Sequence, residues 1–215
     1  MIKQIVITRP EYDYTTRYAS AWAEKVLDFA RNRGNNVVDL NRDRAVRNEF
    51  ENVLHRVNPI LVMLNGHGSD REIAGQNGEV LLRAGENTLL LAKRVVYALS
   101  CRSARVLGRD SITEGTRAYI GYVEDFVFMY SVNKRTRPLE DKTAELFFGP
   151  SNQIMMSLLK GNSADSSHQN SKRAFIHNIR KLLTSQTSKE DTATVKYLLW
   201  DMKNQVCLGV GDARI

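Results

Sequence analysis

The sequence is poor in cysteine. Only Cys101 and Cys207 occur in 215 residues, too few for a disulfide framework, and no C-x-x-C pair offers a zinc site. That scarcity fits a reduced, cytoplasmic setting. Also missing is any run of about 18 apolar residues, so no segment is expected to span a membrane. The stretch from Met1 to Thr8 reads as a short strand and lacks the apolar length and small-residue cleavage site of a secretory signal. Basic residues outnumber acidic ones, 31 to 24, for a formal net charge of +7, but no block of about five like charges exists. Charge spread this way reads as a solvated basic surface, and nucleic acid is not expected as the main ligand. No internal repeat is visible. With 42% hydrophobic and 26% charged residues, the chain has the composition of one folded domain rather than of a disordered segment.

What is present is an alternation of short β-branched runs with amphipathic stretches. Residues 3–8 read as a strand. Over 14–33, Tyr18, Trp22, Val26, Phe29 and Ala30 recur at helical spacing, and Gly34 can end that helix. A strand at Asn36–Leu40 and a helix over 42–57, with Val46, Phe50, Val53, Leu54 and Val57 on one face, follow. Pro59 closes the helix because proline cannot continue its ladder. Ile60–Leu64 and Val95–Leu99 are uniformly apolar, as expected of strands buried on both faces of a parallel sheet. Glu79–Arg83 resembles half a hairpin after a Gly-rich loop at 65–78. A short helix is expected at 102–107, strands at 117–122 and 126–130, helices at 141–148, 151–160, 171–185 and 189–201, and a last strand at 205–210. Residues 161–171, small and polar, read as an exposed loop. The order predicts an α/β fold with a mostly parallel central sheet and helices on both faces.

Thiol chemistry needs a thiolate, a base to make it and donors for the oxyanion that follows. Local context separates the candidates. His55 and His177 lie beside the apolar stripes of their helices and His168 lies in the polar stretch, so each reads as a solvated side chain. Cys207, inside a strand, reads as a small inert hydrophobe. His67 and Cys101 differ because each follows directly on a fully apolar strand, in Asn65-Gly66-His67-Gly68 and Ser100-Cys101. Groups at the carboxyl ends of neighbouring parallel strands emerge on one edge, where open α/β sheets hold their ligands. A helix starting after Cys101 would lower the thiol pKa. Gly68, lacking Cβ, lets its backbone N–H approach a reacting carbonyl, so the backbone N–H groups of Gly68 and Cys101 are the candidate oxyanion hole.

These residues resemble a family. An apolar strand ending in His-Gly, followed by one ending in Ser-Cys, is similar to the signature of the caspase-like cysteine peptidases (clan CD), and Gly115-Thr116-Arg117-Ala118-Tyr119-Ile120-Gly121 resembles a segment of its gingipain-like and CHAT members. The resemblance covers about residues 1–130. It implies a caspase-like three-layer sandwich over residues 1–215 and a cysteine endopeptidase acting on protein or peptide substrates through the Cys101–His67 dyad, with no metal or organic cofactor. It also implies that the histidine serves chiefly as proton donor to the leaving amine, with Asp70 or Glu79 as candidate third members. The family builds its specificity pocket from the loop after the first strand, the segment around the cysteine and the segment after the following strand. Asp13, Glu124 and Asp125 lie there and suggest a basic residue before the cut, although Leu99 stands where metacaspases carry aspartate. An activating or adaptor protein, or processing at Lys172-Arg173, would provide control. Two other readings remain open at this point: an inactive caspase-like interaction module, and a flavodoxin-like nucleotide-binding domain. The second would want a Gly-rich phosphate loop, which Thr8-Arg9-Pro10-Glu11 is not.

Overall fold

The computed structural model describes residues 2–183 and 189–215. Five parallel strands form most of the central sheet: β1 (Gln4–Arg9), β2 (Asn36–Asn41), β3 (Leu61–Asn65), β6 (Val95–Leu99) and β7 (Ala118–Tyr122). A short antiparallel hairpin, β4 (Glu72–Ala74) with β5 (Val80–Arg83), is inserted between β3 and β6. With β8 (Gln205–Gly209) added, the sheet order is β2-β1-β3-β6-β7-β8. All pairs are parallel except β7 with β8. Helices cover both faces, giving three layers. One face packs α1 (Tyr14–Asn32) and α4 (Lys142–Leu159) against Ile5, Ile7, Met63 and Tyr97. The other packs α2 (Arg47–Val57), α3 (Leu107–Thr113) and the hairpin against Val6, Val62, Leu64 and Val96. This alternation of inward side chains along each strand is what a sheet buried on both faces requires. The helices α5 (Ala164–Leu182) and α6 (Lys189–Asn204) pack outside α4 around Phe147, Phe175 and Leu198. Among the described residues, no helix is long and apolar enough to cross a membrane.

Several expectations need correction. The segment 161–171 is no exposed loop: α5 begins at Ala164, capped by the Ser163 side chain. Its small residues Ala164, Ser167 and Ser171 are buried at helical spacing. Small side chains let α5 approach α4 closely, and Asn170 Nδ2 donates to Ser157 Oγ at 2.8 Å across that contact. Lys172-Arg173 therefore lies inside a helix. His168, expected to be solvated, is 6% exposed and bonds through Nε2 to the Gln205 carbonyl at 3.0 Å. The helix expected at 42–57 starts only at Arg47, because Arg42 has φ +49° and the chain first makes a 3₁₀ turn. Residues 184 and 185 of the helix expected over 171–185 lie outside the described residues.

The two helices expected at 141–148 and 151–160 are one, α4, which runs through Gly149-Pro150. Proline removes an N–H and frees the carbonyl four residues back; here that carbonyl, of Leu146, accepts from Asn178 Nδ2 on α5 at 2.8 Å. Residues 126–130 take no regular secondary structure and, among the described residues, pair with no strand. Phe126, Phe128 and Tyr130 point alternately into the core, which mimics a strand in sequence, while the edge of β7 is already occupied by β8.

Candidate active site

The order reverses between β1 and β3: the chain leaves β1 towards β2 on one side and returns to β3 on the other. Such a switch point opens a crevice at the carboxyl ends of the strands. Here the ends are bridged by side chains. Thr8 Oγ1 donates to the Asn65 carbonyl at 3.1 Å and Asn65 Nδ2 to the Thr8 carbonyl at 2.7 Å. On the other flank β3 and β6 run in register to their last residues, Asn65 opposite Leu99. The loops beyond, 66–68 and 100–101, are therefore neighbours. Ser100 Oγ donates to the Gly66 carbonyl at 2.9 Å, and a Cβ on Gly68 would lie 3.2 Å from the Cys101 nitrogen.

His67 and Cys101 consequently line one narrow cleft, shared with Gly66, Leu99, Ser100, three residues of α1 (Thr15, Thr16 and Ala19) and Phe126, Phe128 and Phe148. His67 Nε2 lies 2.5 Å from Asp13 Oδ2. A carboxylate only accepts, so Nε2 carries the proton, and in the neutral ring Nδ1 holds the lone pair. Asp13 also caps α1, where its Oδ1 accepts from the Thr16 N–H and hydroxyl, each at 2.8 Å. Partial burial pushes the Asp13 carboxyl up, but the Thr16 N–H and the imidazole outweigh it, and the group ionises more readily than usual.

Burial pushes the Cys101 thiol above its ordinary value of 9.0, with the Asp125 carboxylate adding to it. The sulfur lies 3.9 Å from the Phe126 carbonyl oxygen. The expected thiolate-stabilising helix at 102–107 is absent. Arg102 has φ +52°, and its N–H goes to the Glu124 carbonyl at 3.1 Å while that of Ala104 goes to the Tyr122 carbonyl at 3.0 Å. The cysteine thus sits on a turn tied to the end of β7, and α3 starts only at Leu107. A left-handed non-glycine residue costs about 1–2 kcal/mol. Among the described residues, the N–H groups of Gly68 and Cys101 have no protein acceptor. Cys207, half-buried in β8, has its thiol pushed up to about 11 by burial.

The remaining candidates are placed as follows. Glu124 pairs with Arg105, and Asp125 with Arg102 at 3.0 Å. Asp70 lies 3.7 Å from Arg102 and 3.6 Å from Arg105. None of Asp13, Glu124 and Asp125 lines the cleft. Glu79 accepts from the Arg47 N–H at 2.8 Å, so neither Asp70 nor Glu79 reaches the imidazole. Asp13, read as a substrate contact, is the group that does. A signal was there to find: Asp13 three residues before Thr16, just ahead of an apolar helical stripe, is a capping-box spacing, and it fixes Asp13 at the strand-to-helix turn beside β3.

The fold and the crevice define an α/β protein with a thiol, an imidazole and a carboxylate gathered at the rim of its sheet. The chain matches no protein-family model and no curated protein sequence.

Proposed function

We propose that the chain is a caspase-like cysteine endopeptidase with Cys101 as nucleophile, His67 as acid–base and Asp13 as the residue that orients the imidazole. The observation that carries this reading is the single cleft lined by both His67 and Cys101, with Asp13 bonded to Nε2 of the ring. The thiol proton passes to Nδ1 as sulfur bonds to the scissile carbonyl carbon. The oxyanion is met by the N–H groups of Gly68 and Cys101. His67 then gives its proton to the departing amine, and water hydrolyses the thioester. The raised thiol fits a site that ionises only as substrate arrives. A resting thiol and two free cysteines suit a reducing compartment such as the cytoplasm.

The nucleotide-binding reading fares worse on charge. A phosphate at the start of α1 would compete with the Asp13 carboxylate, which already caps that terminus. The inactive-module reading leaves the Asp13–His67 bond and the unpaired Gly68 and Cys101 donors without a use. The test is incubation with a peptide library and with a thiol-directed peptide probe, read by mass spectrometry. Wild type is expected to cleave and to be labelled at Cys101, with His67→Ala labelled far more slowly. Cleavage that persists in Cys101→Ala refutes the assignment.

A further inference from the structure

Resting on the peptidase reading, we infer that the cleft beside Cys101 receives an uncharged aliphatic side chain, on the residue whose carbonyl is attacked, rather than a basic one. Its wall is apolar: Ala19, Leu99, Phe126, Phe128 and Phe148 line it, with the methyl-bearing Thr16. Thr16, Ala19, Leu99 and Phe148 are buried, so the wall is continuous with the core. Phe128 and Phe148 stack edge to face at 4.8 Å, and Phe126 meets Phe148 at 5.6 Å. Rings locked this way make a fixed boundary rather than one that yields.

Charge gives the second half of the argument. Among the described residues, the lining holds no Asp, Glu, Lys or Arg. The nearby carboxylates are committed elsewhere: Asp13 to His67, Glu124 to Arg105, Asp125 to Arg102. Asp201 behind the cleft is fully buried, and burial holds it protonated well above the ordinary carboxyl range. A lysine or arginine entering here would lose its water and find no carboxylate in the wall, only the Arg102-paired Asp125 beyond it, and an aspartate would find no cation in the wall. The free volume, about 30 Å³, holds a few heavy atoms, which favours side chains from alanine to leucine over aromatic ones.

The experiment uses peptide chloromethyl ketones differing only in the last residue, Ala, Val, Leu, Phe, Lys, Arg or Asp. The second-order rate of Cys101 alkylation is measured for each and normalised to a free thiol. The Ala-to-Leu probes are expected to react about 10- to 100-fold faster than the charged ones. A series led by Arg, Lys or Asp overturns this inference and leaves the peptidase reading standing. A series in which no probe labels Cys101 faster than it labels a free thiol overturns both. Ala19→Leu, which fills the cleft from α1, is expected to slow the Val and Leu probes while sparing Ala; equal slowing of all three also overturns the inference. The wild-type series decides the matter even if that variant does not fold.

Discussion

Gly68→Ala is the sharpest test of how the loops after β3 and β6 meet. Gly68 does not have a left-handed φ, so the substitution probes space alone. The added methyl would stand 2.6 Å from the Cys101 carbonyl oxygen and 3.2 Å from its nitrogen, besides striking Ser100 Oγ. The serine hydroxyl can rotate away only by giving up its bond to Gly66, at about 1 kcal/mol. The Cys101 backbone cannot rotate away at all. Overpacking of this kind costs about 1–3 kcal/mol, which for a chain of this size lowers Tm by roughly 2–12 °C. The larger effect falls on the chemistry. Separating the two loops misaligns the Gly68 and Cys101 donors, and in the proposed peptidase the loss of one oxyanion donor would cost about 10²–10³ in kcat. Differential scanning fluorimetry and the Cys101 alkylation rate with a peptide probe measure the two parts. Gly149→Ala in α4, where the methyl meets nothing within 4 Å beyond its own helix and chain neighbours, is the control and is expected to leave the Cys101 alkylation rate unchanged. A Gly68→Ala protein with wild-type Tm and wild-type alkylation would refute the reasoning.

Other outcomes follow from the same geometry. Asp13→Asn keeps an acceptor for the Thr16 N–H, so stability should hold while peptide hydrolysis falls at least about tenfold; Asp13→Ala should lose the cap as well, about 1 kcal/mol by denaturant unfolding. Alkylation of Cys101 by iodoacetamide should climb with pH through a midpoint above the ordinary thiol value of 9.0, and a midpoint near neutrality would contradict the burial argument. Asn178→Ala strands the Leu146 carbonyl freed by Pro150 and should cost about 1–3 kcal/mol, whereas loss below a few tenths would mean the bond is idle. Asp201 binds its proton more tightly folded than unfolded. Stability should therefore fall as pH rises above the ordinary carboxyl value of 3.8, by up to about 1.4 kcal/mol per pH unit, and Asp201→Asn should flatten that slope in urea unfolding.

The central sheet was legible because its strands are written twice over, in composition and in position. Ile60–Leu64 and Val95–Leu99 are apolar on both faces, and the structure pairs them in register as β3 and β6. That pairing puts the loops after β3 and β6 side by side, so the placing of His67 and Cys101 on one cleft was readable too. What escaped was set by partners distant in sequence. Residues 126–130 alternate like a strand, and only β8, some 80 positions later, takes the edge they would need. The stretch 161–171 has the composition of a loop, yet its small residues are what allow α5 to lie close on α4. Pro150 should break a helix, and Asn178 prevents it. The carboxylates near the cleft could be counted from sequence, but not their pairings: Arg102 and Arg105 are close enough to Glu124 and Asp125 only because the turn after Cys101 is stitched to the end of β7.

That stitching explains how one crevice can hold an ionisable pair without a free charge in its wall. The loop carrying the sulfur is anchored on the β7 side by the Arg102 and Ala104 amides and by the arginine–carboxylate contacts. The imidazole is anchored on the β1 side by Asp13, which the N-terminus of α1 holds in turn. Each functional group thus takes its position from a different neighbour of the β3–β6 pair, and each anchor consumes the carboxylates on its own side. What remains between the anchors is the apolar end of the core, lined by Leu99, Phe126, Phe128 and Phe148. A sheet that ends this way presents sulfur and imidazole at the mouth of a hydrophobic slot, and the arrangement that keeps Cys101 protonated at rest is the same one that leaves the slot uncharged.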